Sequence, residues 1–315
     1  MADVSLHGRA DAAELADDIV VPFSLEGADV RGRIVRLGPM VSSILARHED
    51  PASVAALLGE AVALTALLGA SLKFDGRFVI EAKSDGPVDF LAADFSTPGN
   101  VRGYAHFDEA ALARFEAGDG GASLLGNGHL AMTVDQGADM DLYQGIVPLE
   151  GGRLADAALE YFAKSEQIPT ALHLGAGQIT KPGDSRSGPN AWRAGGIMIQ
   201  HLPPSGPADF EMDDEGWRNA TALFKTVEYD EILDPALSPE RLLYRLFHEG
   251  GVRVHEPVPV QDKCRCSKDR FAATLSRFGA DEIADMAQDG VIGVTCEFCN
   301  RNYAFTPDEI TSKIS

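Results

Sequence analysis

The sequence is short of positive charge. Lys and Arg number 27 against 48 Asp and Glu, so the formal net charge is −21 and the isoelectric point lies near 4.7. A field of that sign repels phosphate backbones and anionic lipid headgroups, and neither nucleic acid nor a membrane surface is an expected partner. The N-terminal stretch MADVSLHGRADAAELADDIV lacks the basic region and apolar core of a secretion signal. The expectation is therefore a cytoplasmic, reducing location.

Catalytic signatures are missing as well. The eight histidines (His7, His48, His106, His129, His173, His201, His248 and His255) are scattered, with no HxxxH pair, and no Gly-x-Ser-x-Gly nucleophile elbow occurs. No enzyme activity is expected. Two glycine-rich stretches, Gly118–Gly128 and Gly175–Gly196, lack the Lys and Ser/Thr spacing of a phosphate loop and a following helix signal. They read as surface loops, the second broken by Pro182, Gly183, Gly188 and Pro189.

Only one long apolar run occurs, Val54–Leu72 (VAALLGEAVALTALLGASL), with Glu60 as its single charge. It is long enough to cross a bilayer. Its Ala and Gly content, its mid-run carboxylate and the absence of a basic cluster favour a buried core helix, with Pro51 in its first turn and Glu60 near a partner.

Elsewhere, apolar and β-branched residues alternate or cluster between turn signals at Asp29–Leu37, Arg77–Ala82, Val88–Phe95, Leu130–Val134, Tyr143–Leu149 and Gly196–His201, which predicts strands. Leu154–Ser165 carries helical spacing. Irregular interleaving of the two types predicts an α+β fold rather than a doubly wound sheet. After about residue 200 the composition shifts: Pro203, Pro204 and Pro207 precede an acidic run at Asp209, Glu211, Asp213, Asp214 and Glu215, marking a domain edge. Helices follow around Asn219–Leu233 and Pro239–His248, the second with an apolar stripe at Leu242, Leu243, Leu246 and Phe247 and a close at Gly250–Gly251. His255–Val260 (HEPVPV) is an extended connector. The predicted organisation is an N-terminal sheet-and-helix domain over 1–225, a helical linker over 226–260 and a small C-terminal metal-binding domain over 261–315.

All four cysteines lie in that last unit, as Cys264-Arg265-Cys266 and Cys296-Glu297-Phe298-Cys299. Two close thiolate pairs separated by about thirty residues are what a tetrahedral zinc site requires, since each pair chelates and the intervening chain brings the pairs together. That chain supplies a helix with Phe271, Leu275, Phe278, Ile283 and Met286 on its apolar side, then a strand at Val291–Thr295, with Tyr303 and Phe305 on the returning strand. Permanent disulfides compete poorly in a reducing compartment. A thioredoxin-like reading of CEFC needs a following helix, whereas NRNYAF reads as turn and strand. A domain of this size depends on such a staple, and oxidant that attacks the thiolates can remove the metal.

The strings CRCSKDR, FGADEI and CEFCNRNYAF resemble the zinc module of the redox-regulated 33 kDa heat-shock chaperonin family. VRGRIVRL, LLGEAVALTALLGASLKFDG, RGYAHF, LLGNGHLAMTV, YQGIVPL, YFAKSEQIPT and GGIMIQHLP extend the resemblance over nearly the whole chain, in the family's order. Glu81–Asp85 (EAKSD) departs from the family pattern, and Lys181–Arg193 reads as a loop extension. The resemblance implies a reduced form with one Zn2+ per chain on Cys264, Cys266, Cys296 and Cys299. It further implies that oxidation pairs Cys264 with Cys266 and Cys296 with Cys299, releases zinc, loosens the linker and yields an ATP-independent holdase for unfolded clients. A homodimer of the oxidised form and handover of clients to an ATP-dependent chaperone are also implied. A constitutive interaction protein with purely structural zinc shares every sequence feature except the response to oxidant.

Overall fold

The computed structural model describes residues 17–118, 123–137, 140–179, 191–202 and 214–311. In chain order the first part contains β1 (Ile19–Leu25), β2 (Val30–Leu37), α1 (Pro39–Leu45), α2 (Ala52–Gly69), β3 (Arg77–Ser84), β4 (Val88–Ser96), β5 (Asn100–Phe107), α3 (Glu109–Glu116), β6 (Asn127–Asp135) and β7 (Tyr143–Glu150). Next come α4 (Leu154–Tyr161), continued by a π-helical turn at Phe162–Glu166, then β8 (Thr170–Gln178) and β9 (Trp192–His201). The remainder holds α5 (Asp214–Phe224), α6 (Tyr229–Leu233), α7 (Pro239–Phe247), β10 (Val252–Val254), β11 (Val258–Pro259) and β12 (Gln261–Asp262). It ends with α8 (Lys268–Leu275), α9 (Ala280–Met286), β13 (Ile292–Thr295), β14 (Asn302–Phe305) and α10 (Pro307–Thr311). The fold is α+β, as the interleaving of strand and helix patterns predicts.

Two six-stranded sheets enclose α2. The first has the order β10-β1-β2-β9-β8, with β11 also on β1; the second runs β12-β5-β4-β3-β6-β7. Close approach on both sides explains why the helix is built from Ala and Gly. A Cβ on Gly59 would lie 2.7 Å from that of Ala176 in the first sheet, and one on Gly69 would lie 2.3 Å from the Phe95 ring in the second. Leu58 and Val62 in turn fill the space left by Gly103 of β5. A helix apolar on every side is a core helix, and the apolar run occupies that place here. Pro51 sits at the N-cap, one position before the expected first turn, because its extended ψ of 147° turns the chain into Ala52.

The outer face of the first sheet is also covered. Val21, Phe23, Ile34, Ile197 and Ile199 pack with Phe224 of α5, Ile232 of α6 and Leu243 and Phe247 of α7. The apolar stripe Leu242, Leu243, Leu246 and Phe247 is buried against this sheet.

Three expectations need correction. Asn219–Leu233 forms two helices, because Val227 enters the cluster and Glu228 opens α6, its amide donating to Glu231 Oε2 at 3.3 Å. The apolar spacing from Phe271 to Met286 is likewise split into α8 and α9 by Gly279, whose amide donates to Glu282 Oε2 at 2.8 Å. Gly175–Gly196 is not a surface loop throughout: Gly175 and Gly177 lie on β8, and Gly195 and Gly196 lie inside buried β9. Cβ atoms at Gly195 and Gly196 would come within 2.7 Å of Ile232 and Leu174 respectively, so these glycines serve close packing rather than turning. Gly128 similarly belongs to β6. Trp192 and Arg193, assigned to a loop extension, open β9; the rest of that extension up to residue 190, the prolines at 203, 204 and 207 and the acidic run before 214 lie outside the described residues.

Candidate metal centre

The chain reaches the cysteines by crossing from one sheet to the other. β11 pairs with β1 of the first sheet at Ile19 and Val20, and β12, two residues later, pairs with β5 of the second at Asn100 and Val101. Between them Val260 is buried and its amide donates to the Asp18 carbonyl at 2.8 Å. Gly99 is required at the crossing, because a Cβ there would lie 2.2 Å from the Pro259 carbonyl oxygen. Cys264 and Cys266 follow directly, before Ser267 caps α8 by accepting from the Arg270 amide at 3.2 Å.

Cys296 and Cys299 occupy the turn joining β13 to β14. The Cys296 amide donates to the Arg301 carbonyl at 2.9 Å, and the amides of Cys299 and Asn300 both return to the Cys296 carbonyl. Asn300 takes a left-handed conformation, φ 55°, that few residues besides Gly and Asn adopt readily. This turn brings the second pair onto the first. Cys264 Sγ lies 3.7 Å from Cys296 Sγ, Cys266 Sγ 3.3 Å from Cys299 Sγ, and all four sulfurs fall within 4.8 Å of one another. Zn–S bonds of about 2.3 Å in a tetrahedron give sulfur–sulfur edges of roughly 3.8 Å. Among the described residues, no other group of Cys, His, Asp and Glu side chains is drawn together in this way.

The thiols are in unequal environments. Burial raises Cys264, but hydrogen bonds from the Cys266 amide and the Arg102 guanidinium outweigh it and hold the thiol at about 7. Burial pushes Cys296 up, and burial with its sulfur neighbours pushes Cys299 up to about 12. A divalent cation at the centre reverses this balance, since a coordinating thiol gives up its proton. The donor set, spacing and charge therefore suit a soft divalent metal such as zinc. Under the cysteines lies a very small core of Ala272, Ile283, Ile292, Phe305 and Ile310.

The unit rests on the outer face of the second sheet. Asp94 of β4, only 3% exposed, accepts from Arg102 Nε at 2.6 Å and from Arg265 Nη2 at 2.8 Å. Arg102 Nη1 is 3.7 Å from Cys264 Sγ, and its Cζ stands 3.8 Å above the Phe298 ring centre. Arg47 pairs with Asp262 and donates to the Phe298 carbonyl, while Asn300 Nδ2 donates to the Arg47 carbonyl at 3.1 Å. Sequence reasoning missed Asp94, Arg102 and Arg47. Alternation along β4 and β5 was the available signal: Phe95 and Val101 point to the core, so Asp94 and Arg102 must point away from it.

Among the described residues, no histidine takes part in the centre. His173 stacks on Phe224, His201 stacks on Trp217, and His106 pairs with Asp89, while His7 lies outside the described residues.

A family model described as Hsp33 protein matches residues 18–306. The chain belongs to the Hsp33 family. The 33 kDa chaperonin of Caulobacter vibrioides is 46% identical over 295 residues, covering 92% of this chain and 95% of that protein. The 33 kDa chaperonin of Pseudomonas paraeruginosa is 38% identical over 290 residues, covering 91% of each chain. The crystal structure of the 33 kDa chaperonin from Thermotoga maritima matches with a TM-score of 0.75, covering 94% of this chain and 98% of that one; at 24% identity the likeness is one of fold. Both six-stranded sheets and all four cysteines thus fall within the span matched to Hsp33.

Proposed function

We propose that this Hsp33-family protein is a cytoplasmic, redox-regulated chaperone that holds unfolding proteins without ATP. In the reduced form Cys264, Cys266, Cys296 and Cys299 hold one Zn2+. When bound, zinc keeps four thiolates together and staples a unit whose own core is too small to fold alone. Oxidation pairs Cys264 with Cys266 and Cys296 with Cys299, and the metal leaves.

One observation carries the reading: β11 on the first sheet and β12 on the second lie immediately before Cys264, and the same strip of chain follows the helices that cover an apolar sheet face. Loss of the folded 261–315 unit releases the connector at its C-terminal end, and the 226–260 linker loosens from Phe23, Ile34 and Ile199. The uncovered surface is apolar and without fixed shape requirements, which suits many clients. Dimerisation of the oxidised form and transfer of clients to an ATP-dependent chaperone complete the proposed cycle. The 1–225 domain serves as the client platform.

The test pairs two measurements. Zinc release is followed with a chromogenic chelator while suppression of client aggregation is assayed, before peroxide, after peroxide with mild warming, and after reductant with zinc. Release of one zinc per chain together with reversible gain of activity is expected. Zinc retained with activity unchanged would make the protein a constitutive, zinc-stapled interaction module instead.

A further inference from the structure

Asp94 is a buried carboxylate on the outer face of the second sheet, yet both guanidiniums that bond it belong to the cysteine interface. Arg102 comes from the sheet and Arg265 from between the first two cysteines. Arg270, which donates to the Arg265 carbonyl at 3.1 Å, lines the same cleft beside Cys266 and Cys296. Three guanidiniums thus converge in a chain whose net charge is −21. Asp94 alone cannot balance them, and Glu297, the other acid at the cleft, is exposed to solvent.

The balancing charge is the centre itself. Four thiolates around a divalent zinc carry a net charge of −2. Together with Asp94 they offset Arg102, Arg265 and Arg270, while Arg77, which faces the same charges, is paired with Asp135, and exposed Arg301 adds a further positive charge near Cys266 and Cys299. We propose that Asp94, Arg102 and Arg265 form a charge-coupled latch that docks the cysteine unit on the second sheet while the metal tetrathiolate is intact and repels it once that charge is lost. This rests on the zinc assignment above.

The chemistry that opens the latch is balanced with a peroxide as oxidant. Two hydrogen peroxide molecules and four protons take four electrons from the four thiolates, two disulfide bonds form, four waters leave, and Zn2+ departs. The centre passes from −2 to neutral. Arg102 Nη1 then faces an uncharged sulfur where it had an anionic acceptor, and Asp94 is left against three positive groups. The cleft of about 450 Å3 beside Cys266 and Cys296 is open and far larger than such an oxidant. Phe298 adds direction: it sits under the Arg102 guanidinium and 6.1 Å from the Tyr104 ring, so the unit that leaves uncovers aromatic surface on the sheet.

Hydrogen exchange on the full zinc-loaded chain tests the latch without measuring chaperone activity. The reporters are the amides of Gln261 and Lys263, which donate to the Gly99 and Val101 carbonyls across the crossing. In reduced Arg102→Gln carrying one zinc per chain, they are expected to exchange at least tenfold faster than in the unsubstituted chain. Arg102→Lys, which keeps the charge, should restore most of the protection. Peroxide should change the rate strongly in the unsubstituted chain and little in Arg102→Gln. Should Arg102→Gln not fold, Arg265→Gln reads the same latch from the other side, with an expected acceleration of at least fivefold. Unchanged exchange in a zinc-loaded reduced variant overturns the proposal, as does loss of zinc from Arg102→Gln, which would make Arg102 a metal-retention residue. Failure of peroxide to release zinc or to raise holdase activity in the unsubstituted chain would sink the proposed function while leaving the reduced-state comparison to decide the latch.

Discussion

Phe247 at the end of α7 stacks on Phe23 of β1, with ring centres 5.9 Å apart and planes inclined by 26°. Phe23 also has Val254 of β10 as its backbone neighbour across the ladder. The last helix of the cover is therefore held at the strand that carries both β10 and β11. Truncating a buried Phe to Ala typically costs ~3–5 kcal/mol, partly through the cavity it leaves. Phe247→Ala should loosen α7 and raise hydrophobic-dye binding in the reduced, zinc-loaded protein, with partial aggregation suppression before any oxidant. Dye binding and proteolysis within 226–260 check this, and an unresponsive linker would show that α7 is held elsewhere.

Metal removal should act locally first. Structural zinc contributes on the order of 10–16 kcal/mol of apparent binding energy, against a stability of only about 5–15 kcal/mol for a typical whole domain. A strong chelator with reductant should therefore unfold β13, β14 and α8–α10 while the two large sheets persist. Exchange of the Cys296 and Asn300 amides is the readout. Serine at both Cys264 and Cys266 should abolish tight zinc binding, and stoichiometric zinc retained by that variant would refute the ligand assignment.

Periodicity located the parts of this fold whose two faces differ. β2, β3, β4, β6 and β7 were visible because apolar residues on one face of each enter the core that α2 and α4 share, and α7 was visible through its stripe at Leu242, Leu243, Leu246 and Phe247. β9 was read only in its second half, Gly196–His201, and β8 not at all, because the glycines that let Ile232 and Leu174 approach break the strand pattern. β1 and β5 carry Pro22 and Gly103, which weaken the strand pattern although both residues sit in the ladders. The four sulfurs were legible because chelation is local in sequence. Asp94, Arg102 and Arg47 were not, since the contacts they make span long stretches of chain and charged surface residues have many ordinary uses.

The crossing between sheets should be sensitive to a single methyl group. A side chain at Gly99 meets the backbone oxygen of Pro259, which cannot rotate aside as a side chain can. Gly99→Ala should displace β11 and β12 and weaken the Gln261-to-Gly99 hydrogen bond, a change worth about 1–3 kcal/mol when buried groups lose partners. Faster exchange at Gln261 with unchanged zinc content is the expected result. Normal exchange would mean that the connector shifts without losing its pairing.

Glu60 gives α2 a pH-dependent term. Burial between the sheets pushes its carboxyl from an ordinary 4.5 up to about 7, with Arg153 pulling weakly the other way. Because the folded chain holds this proton more tightly than the unfolded chain, the contribution is fully present below about 4.5, declines as pH rises and is gone above about 7. Other groups titrate over the same range, so the useful quantity is the difference between the unsubstituted chain and Glu60→Gln. Relative to its value at pH 4, the stability of Glu60→Gln at pH 8 should gain on the order of 2–3 kcal/mol over the unsubstituted chain. Denaturant unfolding of the reduced, zinc-loaded proteins at several pH values measures it, with the transition of the sheet domain followed separately from that of the cysteine unit. Parallel stability–pH curves for the two proteins would place the Glu60 carboxyl back near its ordinary range and remove the proton from the account of the core helix.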